Sequence, residues 1–172
     1  MVNIRIAQVK DAAGIARVHV DCWRTTYKGI FPDDLLANLS YKRREQSWQH
    51  ILNDPAQLTF VTEDETGKIV GFANGGPERK GDPIFRGELY AIYVLQEAQR
   101  QGLGRHLTKE LVKQLRERQF FSLMLWVLVD NPSRRFYETL GGQIIKQRQI
   151  KIGGSSYEEL AYGWKDFSQL WL

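Results

Sequence analysis

Leucines at 103, 107, 111 and 115 recur every fourth residue, while Arg105, Lys109, Lys113 and Arg116 fall on the other side. At ~100° per residue this pattern predicts an amphipathic helix of about four turns over 103–118. Ile15, Val18, Cys22 and Trp23 repeat at helical spacing and predict a second helix over 12–26, with Asp11 placed to cap it. Gly29 and Pro32 interrupt that pattern; a further helical stretch, in one or two pieces, runs over 32–53 and ends at Pro55. Strand patterns cover 2–6, 58–62 and 69–74. The turn Glu65-Thr66-Gly67-Lys68 joins the last two as an antiparallel hairpin. The run 89–95 is apolar on both faces, as a buried central strand requires, and 123–129 reads the same way. A short helix is predicted over 132–140, opened by Pro132 and closed by Gly141-Gly142. Two last strands, 143–152 and 156–164, meet at Gly153-Gly154. The Gly-, Pro- and charge-rich stretch 75–82 is expected to be a mobile loop.

The predicted order is strand, two helices, three strands, helix, strand, helix, two strands. That is an α/β fold, a single domain over 1–172 with a mixed, mostly antiparallel sheet flanked by helices. A length of 172 residues, 42% hydrophobic and 26% charged, suits one globular domain with a real core. The single cysteine, Cys22, excludes a disulfide framework and a multi-cysteine zinc site. The start Met1-Val2-Asn3-Ile4-Arg5 has no apolar run of the signal-peptide kind. The longest apolar stretch, 123–129, is far short of the ~20 residues a bilayer needs. A cytoplasmic protein without membrane contact is the expectation. The net charge of +4 points to an anionic partner without naming it.

The segment from Tyr93 to Arg105 carries the most chemistry. A buried strand runs into a turn, and the turn opens the 103–118 helix. The first N–H groups of a helix lack internal partners and, with the helix dipole, bind anions. Gly102 and Gly104 allow a bulky anion close to the backbone, and Arg100 and Arg105 add charge. A pyrophosphate cradle is one reading; a tight strand–helix turn is the other. A nucleoside-triphosphate loop needs Lys and then Ser or Thr after its last glycine, where this chain has Arg105-His106. A dinucleotide fingerprint needs a glycine at Leu107.

The run Gln99-Arg100-Gln101-Gly102-Leu103-Gly104 resembles the Q/R-x-x-G-x-G/A signature of the GCN5-related N-acetyltransferase (GNAT) superfamily. Glu88-Leu89-Tyr90-Ala91-Ile92-Tyr93-Val94 is similar to that family's central strand. The stretch from Asn131 to Gly142, with its Asn, Phe-Tyr-Glu and Leu-Gly elements, is similar to the family's later helix. The chain departs from the pattern at Gln96, where a proline is common, and at Gly142, where Phe is frequent. The spacing from Asn131 to Tyr137 is also one residue short of many members.

The resemblance implies acetyl-CoA as co-substrate and no metal. It implies that the backbone of Gln99, Arg100, Gln101, Gly102, Leu103, Gly104 and Arg105 holds the pyrophosphate. The exposed backbone of Ile92, Tyr93 and Val94 would pair with the pantetheine arm, a geometry that a sheet gap or bulge supplies. Asn131 would hydrogen-bond that arm, and Arg134 would reach the nucleotide phosphates or stay on the surface. Tyr137 is expected to be the general acid for the departing thiolate, or else a phenol packed under its helix, and Glu88 the general base, directly or through water, or else a solvated surface carboxylate. Trp23 and Tyr27, four apart on one helix face, would shape the acceptor pocket or pack in the core. His19 would face the cleft or be a satisfied structural histidine, and Cys22 reads as a structural thiol, because nothing beside it in sequence would activate a nucleophile.

The expected activity is acetyl transfer to a primary amine of an unidentified small-molecule or peptide acceptor by direct attack in a ternary complex. A non-catalytic acyl-CoA sensor is the alternative. Nucleic-acid binding by the basic helix is not expected, since interleaved aromatics are missing and Glu110 and Glu117 dilute its charge. The resemblance is compatible with a homodimer, and the apolar tail 164–172 would pack on a partner or on its own domain. Residues 96–118 hold six Lys/Arg against three Glu, and 131–151 hold five against one. The basic excess thus sits in the two segments expected to hold the cofactor.

Overall fold

The computed structural model describes residues 3–172. Seven strands form one sheet: β1 (Asn3–Ile6), β2 (Leu58–Glu63), β3 (Ile69–Pro77), β4 (Gly87–Val94), β5 (Leu123–Leu128), β6 (Gln143–Ile152) and β7 (Ser155–Trp164). Their spatial order is β1-β2-β3-β4-β5-β7-β6, and every pairing is antiparallel except β4 with β5. The helices are α1 (Ala12–Thr26), α2 (Asp33–Ala37), α3 (Tyr41–Asn53), α4 (Leu103–Glu117) and α5 (Arg134–Thr139). The mixed, mostly antiparallel α/β architecture matches the sequence expectation; Val2 of the expected first strand lies outside the described residues.

Two apolar layers sandwich the sheet. On one face Leu107, Leu111 and Leu115 of α4, all fully buried, pack on Phe60, Leu89, Leu125 and Tyr162. Each such leucine contributes ~1.5–3 kcal/mol through burial, so the four-residue leucine period is what docks α4. On the other face Ile15, Val18 and Cys22 of α1 meet Trp48 of α3 and Phe72 of β3. The tail folds back on its own domain: Phe167 and Leu170 enter the first layer, and Trp171 N–H donates to Leu140 O at 3.2 Å.

The strands on either side of the parallel pair set up the site. β4 and β5 pair only at Gly87↔Leu123 and Glu88↔Met124, after which they diverge. Across the other edge of β4, Asn74 pairs Ala91 while Gly75 pairs Leu89, so Tyr90 is the extra residue of a bulge. A bulge bends its strand and re-aims the side chains beyond it. It therefore leaves the β5-facing backbone of Leu89 to Val94 without a strand partner.

Several local expectations are corrected. β3 runs on through Gly75 and Gly76 to Pro77. A Cβ at Gly75 would meet Glu88 O at 2.6 Å, so only glycine lets the two strands close there. The following loop is pinned rather than mobile. Glu78 accepts from the N–H groups of Lys80 and Asp82, and buried Asp82 accepts from Ile84 and Phe85 and pairs with Lys146. Asp11 stands at the head of α1 but does not cap it: its carboxylate is held by Arg5 and by the Gln8 N–H, which caps the short turn before α1. Pro132 precedes α5, whose N-cap is Ser133. Gly153 and Gly154, at φ +58° and +82°, make the two-residue hairpin turn.

Candidate active site

The cleft opened by β4 and β5 holds two joined cavities. The larger, about 540 Å³, runs along the end of β4 and the 99–105 turn to Ser133, Phe136 and Tyr137. The smaller, about 200 Å³, lies beneath the end of α1 and over β5 and β7. Ile92, Ser133 and Tyr137 line both, so they mark the junction.

The turn presents free backbone donors. Arg100 at φ +61° and Gly102 at φ +78° are left-handed and swing the backbone into the head of α4. Among the described residues, the N–H groups of Gly102, Leu103, Gly104 and Arg105 have no hydrogen-bond acceptor. A Cβ at Gly102 would meet nothing closer than His106, at 3.7 Å, so its glycine serves conformation. A Cβ at Gly104 would come within 3.2 Å of Phe136 in the groove wall, so that glycine serves space. Arg100 and Arg105 line the groove, and Arg105 also donates to Trp171 O. Gln99 folds back and donates from Nε2 to Val94 O at 2.9 Å. Gln101 faces away, into a shallow hollow beside His106 and Lys109.

Ile92 and Val94 line the groove, whereas the Tyr93 side chain points the other way. Its ring stacks on His19 at 5.2 Å, and its hydroxyl accepts from Trp23 Nε1 at 3.1 Å. Burial pushes the Tyr93 phenol well above its ordinary range. Tyr137 is also buried, and burial raises its phenol strongly, with the Tyr27 phenol adding to the shift. A phenol so shifted keeps its proton at neutral pH. Its hydroxyl has no hydrogen-bond partner among the described residues.

Asn131 lines the smaller cavity, not the groove. Its Oδ1 accepts from Ser133 N–H at 2.8 Å, and its Nδ2 donates to the Tyr27 hydroxyl at 3.3 Å. Trp23 and Tyr27 line the same cavity while packing against Phe31.

Two expected residues are not brought to the cleft. The Arg134 guanidinium donates to Val129 O at 2.9 Å and to the Tyr162 hydroxyl at 3.3 Å, so it braces α5 against β7. Glu88 is 2% exposed and lines neither cavity. Its carboxylate accepts from the N–H, Nε and Nη2 of Arg79, whose guanidinium also lies 4.2 Å from the Tyr90 ring centroid. Part of the basic excess is likewise committed elsewhere, with Lys146 on Asp82 and Arg148 on Glu159.

His19 and Cys22 are structural. Burial, with the Arg44 charge, brings His19 down to about 3, and its Nδ1 accepts from Trp48 Nε1. Burial pushes the Cys22 thiol up to about 12, so no reactive thiolate forms there. Sequence reasoning missed Ser133, at the junction, and Glu159, in the smaller cavity. Ser133 follows directly from the Asn131 motif; Glu159 carries no local signal, being one charge in an alternating strand.

Splayed parallel strands, a phosphate-type turn after the central strand and a phenol at the cleft junction define a class of acyl-transfer fold. The sequence matches the Acetyltransferase (GNAT) family over residues 16–141, and the chain belongs to that family. It is an N-acetyltransferase in the sense that the family is. An uncharacterized N-acetyltransferase, YuaI of Bacillus subtilis (strain 168), is 41% identical over 170 residues, covering 99% of this chain and 96% of that one. PaiA N-acetyltransferase of Thermoplasma acidophilum, solved in complex with coenzyme A, shares the fold at TM-score 0.74 and 17% identity, covering 93% of this chain and 98% of that one. A ribosomal-protein-alanine N-acetyltransferase of Brucella melitensis superposes at TM-score 0.72 with 26% identity over 94% of this chain and 98% of its own. Among the described residues no helix is long and apolar enough to cross a membrane, and no cluster of His, Cys, Asp or Glu could hold a metal ion.

Proposed function

We propose that this chain moves an acetyl group from acetyl-CoA to a primary amine by direct attack in a ternary complex. The observation that carries the reading is Tyr137, which stands where the groove and the smaller cavity meet. The residues present fit the cofactor. Four unpartnered N–H groups from Gly102 to Arg105 face an anion site, Arg100 and Arg105 flank it, and the unpaired edge of β4 leads inward from it. The backbone of Ile92 to Val94 would pair with the pantetheine arm.

When bound, acetyl-CoA supplies an activated thioester: the amine nitrogen takes the acetyl carbon as the C–S bond breaks and sulfur leaves as thiolate. Tyr137 donates its hydroxyl proton to that sulfur. Its position at the junction of the two cavities, with no hydrogen-bond partner for its hydroxyl among the described residues, supports that role; burial keeps the phenol protonated at rest. Trp23 and Tyr27 wall the acceptor side. Glu88 lines neither cavity and Arg79 holds its carboxylate, so the nitrogen's proton leaves through water, and the Tyr137 phenolate regains one the same way.

The test is to mix purified protein with acetyl-CoA and a panel of amines and to follow free thiol release. Amine-dependent thiol release supports the reading. Failure of acetyl-CoA to bind in calorimetry overturns it.

A further inference from the structure

The smaller cavity is chemically one-sided. Its walls are largely aromatic: Trp23, Tyr27, Phe31, Tyr93 and Trp126. Among the described residues lining it, Glu159 alone carries a formal charge. Arg148 lies outside the cavity, 3.9 Å from the Trp126 ring centroid, and engages only Glu159 Oε2, at 2.8 Å. Oε1 has no partner among the described residues. The carboxylate lies close enough to Tyr27 for its charge to help raise that phenol. The strand register explains this placement: Glu159 of β7 sits between Leu128 of β5 and Arg148 of β6, on the face that α1 and its following loop cover.

We propose that this cavity takes the acceptor as a small primary monoamine with an apolar body and no carboxylate, its ammonium held by Glu159 Oε1. The inference rests on the acetyl-transfer reading and names its substrate class. A carboxylate with one oxygen fixed by arginine still offers lone pairs to an N–H donor. Aromatic faces within reach attract the same cation through their quadrupoles. An α-amino acid would bring a second, negative group into a cavity with no cationic side chain in its lining. A polyamine would bring a second ammonium with no second carboxylate. The volume of about 200 Å³ sits below the usual range for drug-sized ligands, ~300–1,000 Å³, which favours a body of roughly one ring.

The experiment titrates phenethylamine, L-phenylalanine, spermidine and 2-phenylethanol by calorimetry, into the free protein and into its CoA complex. Phenethylamine is expected to bind at least ~10-fold more tightly than each of the others, because the alcohol lacks the charged hydrogen bond, phenylalanine brings an unpaired carboxylate and spermidine an unpaired second ammonium. Glu159→Gln is expected to weaken phenethylamine by ~10–100-fold while CoA affinity and melting temperature hold, with Glu159→Asp restoring part of the loss. Equal or tighter binding of phenylalanine, spermidine or the alcohol overturns the proposal, as does no phenethylamine binding or an unaffected Glu159→Gln. The alcohol comparison uses the unsubstituted protein, so it decides even where the variant fails to fold. Loss of CoA binding would instead overturn the acetyl-transfer reading, and the titrations into free protein still decide the cavity's preference.

Discussion

Asn131 Nδ2 donates to the Tyr27 hydroxyl across 3.3 Å, joining the segment ahead of α5 to the end of α1. The bond fixes the direction of a small network. Asn131 Oδ1 is already occupied by Ser133 N–H, and Trp23 Nε1 donates to Tyr93. The hydroxyls of Tyr27 and Tyr93 lie 3.3 Å apart and share one hydrogen bond. Two hydroxyl protons thus serve one mutual bond, and the second has no acceptor among the described residues. The Tyr27–Tyr93 pair therefore offers the smaller cavity one free hydroxyl proton beside the Glu159 carboxylate.

Tyr27→Phe should break this network and leave the buried Asn131 amide unpaired. The expected cost is ~1–3 kcal/mol of unfolding free energy, measured in urea. The KM for the amine should rise while the Kd of acetyl-CoA stays within about 2-fold, because Tyr27 lines the smaller cavity and not the groove.

Tyr137→Phe tests the acid. The ring and its packing remain, so the fold and acetyl-CoA affinity should hold. The kcat should fall by ~10²–10⁴, the usual contribution of a positioned acid. A fall of less than about 3-fold would remove Tyr137 from the chemistry.

Gly102→Ala separates conformation from space. The new Cβ would have room, with His106 no closer than 3.7 Å, so the cost is the left-handed backbone itself. A loss of ~1–2 kcal/mol is expected, seen as a lower melting temperature. Acetyl-CoA should bind more weakly, since the N–H groups of the turn move with φ. A variant as stable as the parent would show that the turn relaxes without cost.

His19 predicts an acid limb in stability. Burial and Arg44 lower its folded value to about 3 from an unfolded value near 6.5. Below pH ~6.5 the unfolded chain gains a proton that the folded chain refuses, so its contribution is complete above that pH. It is lost progressively as pH falls toward 3. Unfolding free energies measured between pH 7.5 and 5 should therefore decline more steeply in the parent than in His19→Gln, which keeps an acceptor for Trp48. Parallel slopes would show that His19 is free to charge in the fold.

Much of the molecule was legible before any coordinates. The leucine period placed α4 to within a residue, because one buried face per helix is a one-dimensional signal. The glycine spacing at Gly102 and Gly104 located the turn, since a left-handed φ and a close approach both select glycine locally. The loop after Gly75 was misread because glycines usually mark turns, whereas here they admit the neighbouring strand.

What the tertiary structure alone decided is which polar groups are free. Glu88, the expected base, lies outside both cavities, and Arg79, folded back from the preceding loop, occupies its carboxylate. Glu159 looked like any strand carboxylate until β5, β6 and β7 placed it under Tyr27 with one oxygen open. Periodicity and glycine spacing depend on near neighbours and are written in the chain. Whether a charge is paired or free depends on residues far along it, and only packing brings those together.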